Sequence, residues 1–84
     1  MSIIENVLDI PAEHSSNIFG SCDAYVKKIE RTLKVTIIAR DSELKLVGAE
    51  GAVKRAASVF AQLLELSKRG NTITEQNVDY ALSL

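Results

Sequence analysis

The 84 residues, 46% hydrophobic and 25% charged, suffice for one small domain and leave no room for a second. Ten Lys+Arg against eleven Asp+Glu give a net charge of −1, which excludes a strongly basic nucleic-acid binder but permits a local basic stripe. High apolar content with low net charge argues against disorder, and no run of about 18 apolar residues is present to cross a membrane. Met1-Ser2-Ile3-Ile4-Glu5 lacks the basic start and long apolar core of a secretion signal, so the expected compartment is the cytoplasm. The single cysteine, Cys22, excludes an internal disulfide and any cysteine-cluster metal site.

In chain order, the β-branched stretch Asn6–Ile10 predicts a first strand, ended by Pro11, the only proline. Ser15 and Ser16 read as N-caps of a brief helix through Asn17-Ile18-Phe19 that stops at Gly20. A second helix is predicted from about Ser21–Asp23, with Cys22, Tyr25, Val26, Ile29 and Leu33 on one stripe. Lys27, Arg31 and Lys34 share a different face, and Lys28 lies apart from them. Val35–Ala39 has no single helical stripe and predicts a strand. Arg40-Asp41-Ser42 supplies turn chemistry before Glu43–Val47, which alternates polar and apolar, so the two strands form a hairpin. Gly48 and Gly51 punctuate the exit.

The longest predicted helix spans about Glu50 to Arg69. Its apolar seam is Val53, Ala56, Ala57, Phe60, Leu63, Leu64 and Ser67. Lys68 and Arg69 suit its carbonyl end, and Gly70 suits the left-handed position that follows. Thr74 reads as an N-cap flanked by a staple between Ile73 and Val78, opening a helix Glu75–Ser83 with Val78, Ala81 and Leu82 inward. That helix has no stop signal, and its apolar end predicts a fragment of a longer protein.

Catalytic chemistry has little support. His14, the only histidine, stands beside Glu13 with no activated nucleophile near it in sequence, and reads as a surface-loop residue. One His and one Cys eight residues apart make no structural zinc site. Asp23 opposes any lowering of the Cys22 thiol pKa by a helix start, so Cys22 reads as a core residue. No Gly-x-x-x-x-Gly-Lys-Ser/Thr run exists to cradle a nucleotide phosphate.

The order strand, helix, Gly-containing turn, helix, strand, strand, helix over about residues 5–69 resembles a KH domain. In that fold a Gly-x-x-Gly turn lets backbone amides approach nucleotide phosphates beside an apolar groove for bases. Here the turn is Gly20-Ser21-Cys22-Asp23, and the fourth position carries a carboxylate that repels phosphate. A closer similarity rests on Ile18-Phe19-Gly20-x-x-Asp23, Ile29-Glu30, Val35-Thr36-Ile37 and Leu63-Leu64-Glu65-Leu66. Its most specific piece is Arg69-Gly70-Asn71-x-Ile73-Thr74-x-Gln76-x-Val78-x-Tyr80-Ala81. Together these look like the N-terminal region of PhoH-family proteins, bacterial cytoplasmic proteins in which a P-loop ATPase domain follows a small KH-like domain. An acidic residue in the turn is common in that family, so Asp23 fits it while departing from KH.

The resemblance implies an α+β fold of KH-like β-α-α-β-β-α order: a three-stranded antiparallel sheet with helices on one face, plus a C-terminal helix. Residues 1–70 would form the KH-like domain, and 71–84 the helix leading to the ATPase domain. ATP and magnesium are expected only for that ATPase domain. The implied function is a non-catalytic accessory module binding single-stranded RNA weakly, with Gly20, Ser21, Cys22, Asp23, Lys27, Lys28, Arg31 and Lys34 as the contact residues and no metal. Residues 20–40 hold five basic and two acidic side chains, a local excess that charge balance elsewhere hides. The competing expectation is an interaction module that packs on the ATPase domain or on neighbouring subunits without touching RNA. Asp23 and the apolar C-terminal helix favour it.

Overall fold

A computed structural model describes residues 3–20, 23–40 and 42–84. The elements run β1 (Ile3–Asp9), α1 (Ala12–Phe19), α2 (Ala24–Leu33), β2 (Thr36–Arg40), β3 (Glu43–Ala49), α3 (Glu50–Lys68) and α4 (Glu75–Ser83). The sheet order is β1-β3-β2 with both pairings antiparallel, the expected KH-like α+β arrangement. Alternation gives the sheet two unlike faces. Leu8, Leu44 and Ala39 share one cross-strand row and Ile37 pairs with Leu46; these face the helices. The next row over, Val7, Lys45 and Ile38, faces solvent.

β1 begins three residues earlier than its β-branched pattern predicts and ends at Asp9. Full pairing with β3, from Ile3 opposite Ala49 to Asp9 opposite Glu43, overrides weak local propensity. α1 starts at Ala12, directly after Pro11, so Ser15 and Ser16 are interior residues and not caps. Pro suits a helix start because its missing N–H would have no intrahelical partner. The Ser15 hydroxyl instead donates back to the Ala12 carbonyl at 2.9 Å. Gly48 lies within β3, paired with Ile4, and Gly51 lies in the first turn of α3.

The core is one cluster drawn from every helix and from β2 and β3, with Ile4 and Leu8 of β1 packed half-buried against it. Its largest fully buried side chains include Phe60, Ile10, Ile18, Ile29, Leu44 and Leu63. Val59 is buried too, beyond the predicted seam of α3, because α4 covers that flank of the helix. α3 ends as predicted. Gly70 has φ +89°, its N–H donates to the Ser67 carbonyl, and the Asn71 N–H donates to the Leu66 carbonyl at 3.1 Å. α4 opens with a full capping box. The Asn77 N–H donates to Thr74 Oγ1, the Thr74 N–H donates to Asn77 Oδ1, and the stapling residues Ile73 and Val78 are both buried.

Asn17 locks the α3–α4 loop onto α1. Its Nδ2 donates to Ser67 Oγ and to the Asn71 carbonyl, both at 2.9 Å, and its Oδ1 accepts from the buried Ile73 N–H at 2.8 Å. His14 joins this network through Nδ1, 2.7 Å from Ser67 Oγ. It is therefore a half-buried helix residue and not a loop residue. Helical spacing of His14 and Asn17 puts both on the face of α1 that meets α3.

Two substitutions test this packing. Phe60→Ala should destabilise the fold by about 3–5 kcal/mol, the cost of removing a fully buried aromatic; a chemical-denaturation midpoint close to that of the parent would show the core is not centred there. Asn17→Ala leaves the Ile73 N–H without its partner and should cost about 2 kcal/mol. Hydrogen exchange should accelerate in α4 before the β-sheet, and equal acceleration in both would contradict a local clamp.

Candidate nucleic-acid interface

The turn between α1 and α2 is shaped by two residues with positive φ, Gly20 at +80° and Asp23 at 57°. The Asp23 N–H donates to the Gly20 carbonyl at 3.2 Å, closing the turn. A Cβ at Gly20 would stand 2.8 Å from the Tyr25 ring, so both backbone conformation and close approach require glycine there. Tyr25 is itself held, its hydroxyl donating to the Ile73 carbonyl at 3.2 Å. The turn is thus braced through Tyr25 against the same loop that Asn17 clamps. Ser21 and Cys22, two of the expected contact residues, lie outside the described residues.

Beside the turn, a groove of about 310 Å³ is lined by Ser15, Phe19, Asp23, Ala39 and Arg40. It is walled by the end of α1, the turn and the end of β2. Phe19 and Ala39 give it apolar surface, Ser15 a hydroxyl, and Arg40 a cation at its β2 side. Asp23 places a carboxylate in the same wall. Spacing along the chain does not mark Phe19, Ser15 or Ala39 as groove residues. Phe19 is a buried core residue whose edge reaches the groove, and nothing in its sequence neighbourhood signals that edge.

Of the expected basic residues, Lys27 and Arg31 are exposed on α2 one helical turn apart, whereas Lys34, also exposed, follows the helix in a left-handed conformation and so leaves the predicted shared face; none of the three lines the groove. Lys28 points to α4. Its Nζ is 2.8 Å from Glu75 Oε2 and also pairs with Asp79. Hydrogen bonds to Asp79 and then Glu75 raise its pKa above the usual lysine value. Lys28 therefore serves chiefly to hold α4 against α2. Glu75 and Asp79 share one face of α4, four residues apart, which places both carboxylates on one ammonium.

Elsewhere the residues offer little for catalysis or cofactors. Glu13 Oε1 is 3.9 Å from His14 Nε2, while the other ring nitrogen is engaged by Ser67. Among the described residues no group of three His, Cys, Asp or Glu is placed to hold a metal ion. No helix among them is long and apolar enough to cross a membrane. A groove of about 560 Å³ lies between α3 and α4, with Ala61, Leu66 and Ala81 against the exposed Tyr80.

No protein-family model matches the chain. In sequence it is similar to a PhoH-like protein of Bacillus subtilis (strain 168), 28% identical over 72 residues, covering 86% of this chain and 23% of that protein. A PhoH-like protein of Mycobacterium tuberculosis (strain ATCC 25618 / H37Rv) is 24% identical over 81 residues, covering 96% of this chain and 23% of its own length. In structure it is similar to a protein of unknown function from Aeropyrum pernix, with TM-score 0.79, 15% identity, and coverage of 99% of this chain and 47% of that one. Dim2p from Pyrococcus horikoshii OT3 gives TM-score 0.71 at 19% identity, covering 94% and 48%. These two likenesses establish a shared fold. Over nearly its whole length, then, the chain is similar to PhoH-like proteins, of which it spans about a quarter.

Proposed function

We propose that this chain is the KH-like accessory domain at the N-terminal end of a PhoH-like protein, and that it binds single-stranded RNA weakly without catalysing a reaction of its own. The observation that carries this reading is the shallow, mostly polar groove beside the Gly20–Asp23 turn, where the Arg40 cation stands next to Ala39 and the edge of the buried Phe19. The exposed Lys27, Arg31 and Lys34 add positive potential along α2, outside the groove, where a strand's backbone would pass. ATP and magnesium belong, in this reading, to the remainder of the longer protein. The sequence here holds no phosphate-cradling glycine-lysine loop, so no step involving them is assigned to these residues.

Asp23 weakens this site by design of charge. A carboxylate about 5 Å from a phosphate opposes it by roughly 1–3 kcal/mol at effective dielectrics between about 80 and 20. A second reading, an interaction module without RNA contact, draws support from Asp23 in the groove wall and from the apolar α3–α4 groove beside Tyr80.

Titration of labelled single-stranded RNA at low and moderate salt separates the two. Asp23→Gly removes the repulsion, suits the positive φ, and should tighten binding several-fold while leaving the fold at least as stable. Lys27→Glu with Arg31→Glu should weaken binding, and affinity should fall as salt rises. If neither the parent nor Asp23→Gly binds, the turn is structural and the interaction-module reading replaces this one. The same purified chain should neither bind ATP at micromolar concentration nor turn it over; calorimetric binding in that range would overturn the assignment of nucleotide chemistry to the rest of the protein.

A further inference from the structure

The two outer strands of the sheet are not equivalent. β2 is five residues long and its outer edge is guarded. The Ile37 N–H, turned away from β3, donates to Glu30 Oε2 of α2 at 2.7 Å, and α2 packs beside the strand. β1 has no such cover. It spans seven residues and, among the described residues, touches only β3 and α3. It has no proline, no lysine and no bulge in its pairing with β3, and its only charged side chains are Glu5 and Asp9, both on the solvent face. A row of backbone donors and acceptors is left facing outward on a strand with exposed Ile3 and Val7. Alongside it an apolar crease of about 140 Å³ separates β1 from α3, lined by Leu8, Ile10, Ala57, Ala61 and Leu64.

We propose that β1 is a self-association edge: two copies of this chain pair their β1 strands antiparallel about Asn6, forming one continuous six-stranded sheet. The sequence of the strand fits its own reverse. In that register Ile4 stands opposite Leu8 of the copy, Glu5 opposite Val7, and Ile3 opposite Asp9, so no two like charges are directly opposed, and Glu5 has Glu5 and Asp9 of the copy only as diagonal neighbours. Ile4 and Leu8 lie on the helix-facing side and are only half-buried within one copy, so their pairing across the two-fold extends the apolar layer next to the crease. Asn6 meets itself on the axis, where two side-chain amides can exchange hydrogen bonds. The same patch serves both partners, as a closed two-fold contact requires. The inference does not rest on RNA binding.

Sedimentation equilibrium of the 84-residue chain across a wide concentration range tests it. The mass should rise from the 9.2 kDa of one chain to twice that value. Val7→Glu sets a carboxylate opposite Glu5 of the copy at two symmetric positions and should weaken the dimer about tenfold or more. Within its own sheet the new side chain faces Lys45, so the monomer keeps its fold. Val7→Lys faces Glu5 of the copy instead and should leave association intact or tighter; it also stands opposite Lys45 in its own sheet, so its fold is checked by circular dichroism before the comparison. In the parent chain, outward-facing amides of β1 should exchange faster on dilution. A chain that stays monomeric at several hundred micromolar overturns the proposal, as does a dimer that Val7→Glu and Val7→Lys affect alike.

Discussion

A three-stranded sheet with one apolar face cannot stand alone, and α3 is what closes it. This helix is in contact with α1, α2, α4, β1 and β3, so only β2 reaches it indirectly. Phe60 at its centre is fully buried. A domain of 84 residues buries a modest share of its surface, so it must spend nearly all its large apolar side chains on one seam. The position of every other element follows from how it meets that seam. α1 and α2 cross it near the sheet end that carries the turn, and α4 covers the flank where Val59 is buried.

Polar contacts then fix what apolar packing leaves loose. α4 is short, and the loop before it has backbone groups that need partners away from water. Asn17 supplies two of those hydrogen bonds, to the Asn71 carbonyl and from the Ile73 N–H, Tyr25 a third, and Asn17 also donates to Ser67 Oγ of α3. Because Tyr25 also packs on Gly20, the candidate nucleic-acid turn and the α3–α4 loop are mechanically joined. Anything that loosens α4 also loosens the groove wall at Asp23. Among the described residues no buried side-chain nitrogen or oxygen lacks a hydrogen-bond partner, so this network is fully satisfied.

Charge on this domain is divided between holding and reaching. Lys28 is taken up by Glu75 and Asp79 of α4, whereas Lys27, Arg31 and Lys34 remain exposed. Glu30 is likewise internal business, capping the edge of β2 through the Ile37 N–H. A simple tally of charges between residues 20 and 40 therefore overstates the positive surface offered to a partner, because one cation is already satisfied. The contrast between the guarded β2 edge and the open β1 edge arises from the same carboxylate.

Local chemistry alone determined the element order, the hairpin, the end of α3 at Gly70 and the staple and cap of α4. Each depends on residues within a few positions of one another, where period, φ and capping hydrogen bonds are legible. The KH-like order and the likeness to PhoH-like proteins were legible as well, from the Ile18–Asp23 turn and the Arg69–Ala81 segment. Tertiary structure decided the rest. β1 gained Ile3–Glu5 because β3 was there to pair with them, and Ser15 and Ser16 lost their capping role because Pro11 had already begun the helix. His14 and Asn17 found Ser67, and Lys28 found Glu75 and Asp79, across separations of about 50 residues. The Phe19–Arg40 groove joins α1 to the end of β2. Such partners are chosen by how helices stack on a shared core, and no spacing along the chain encodes them.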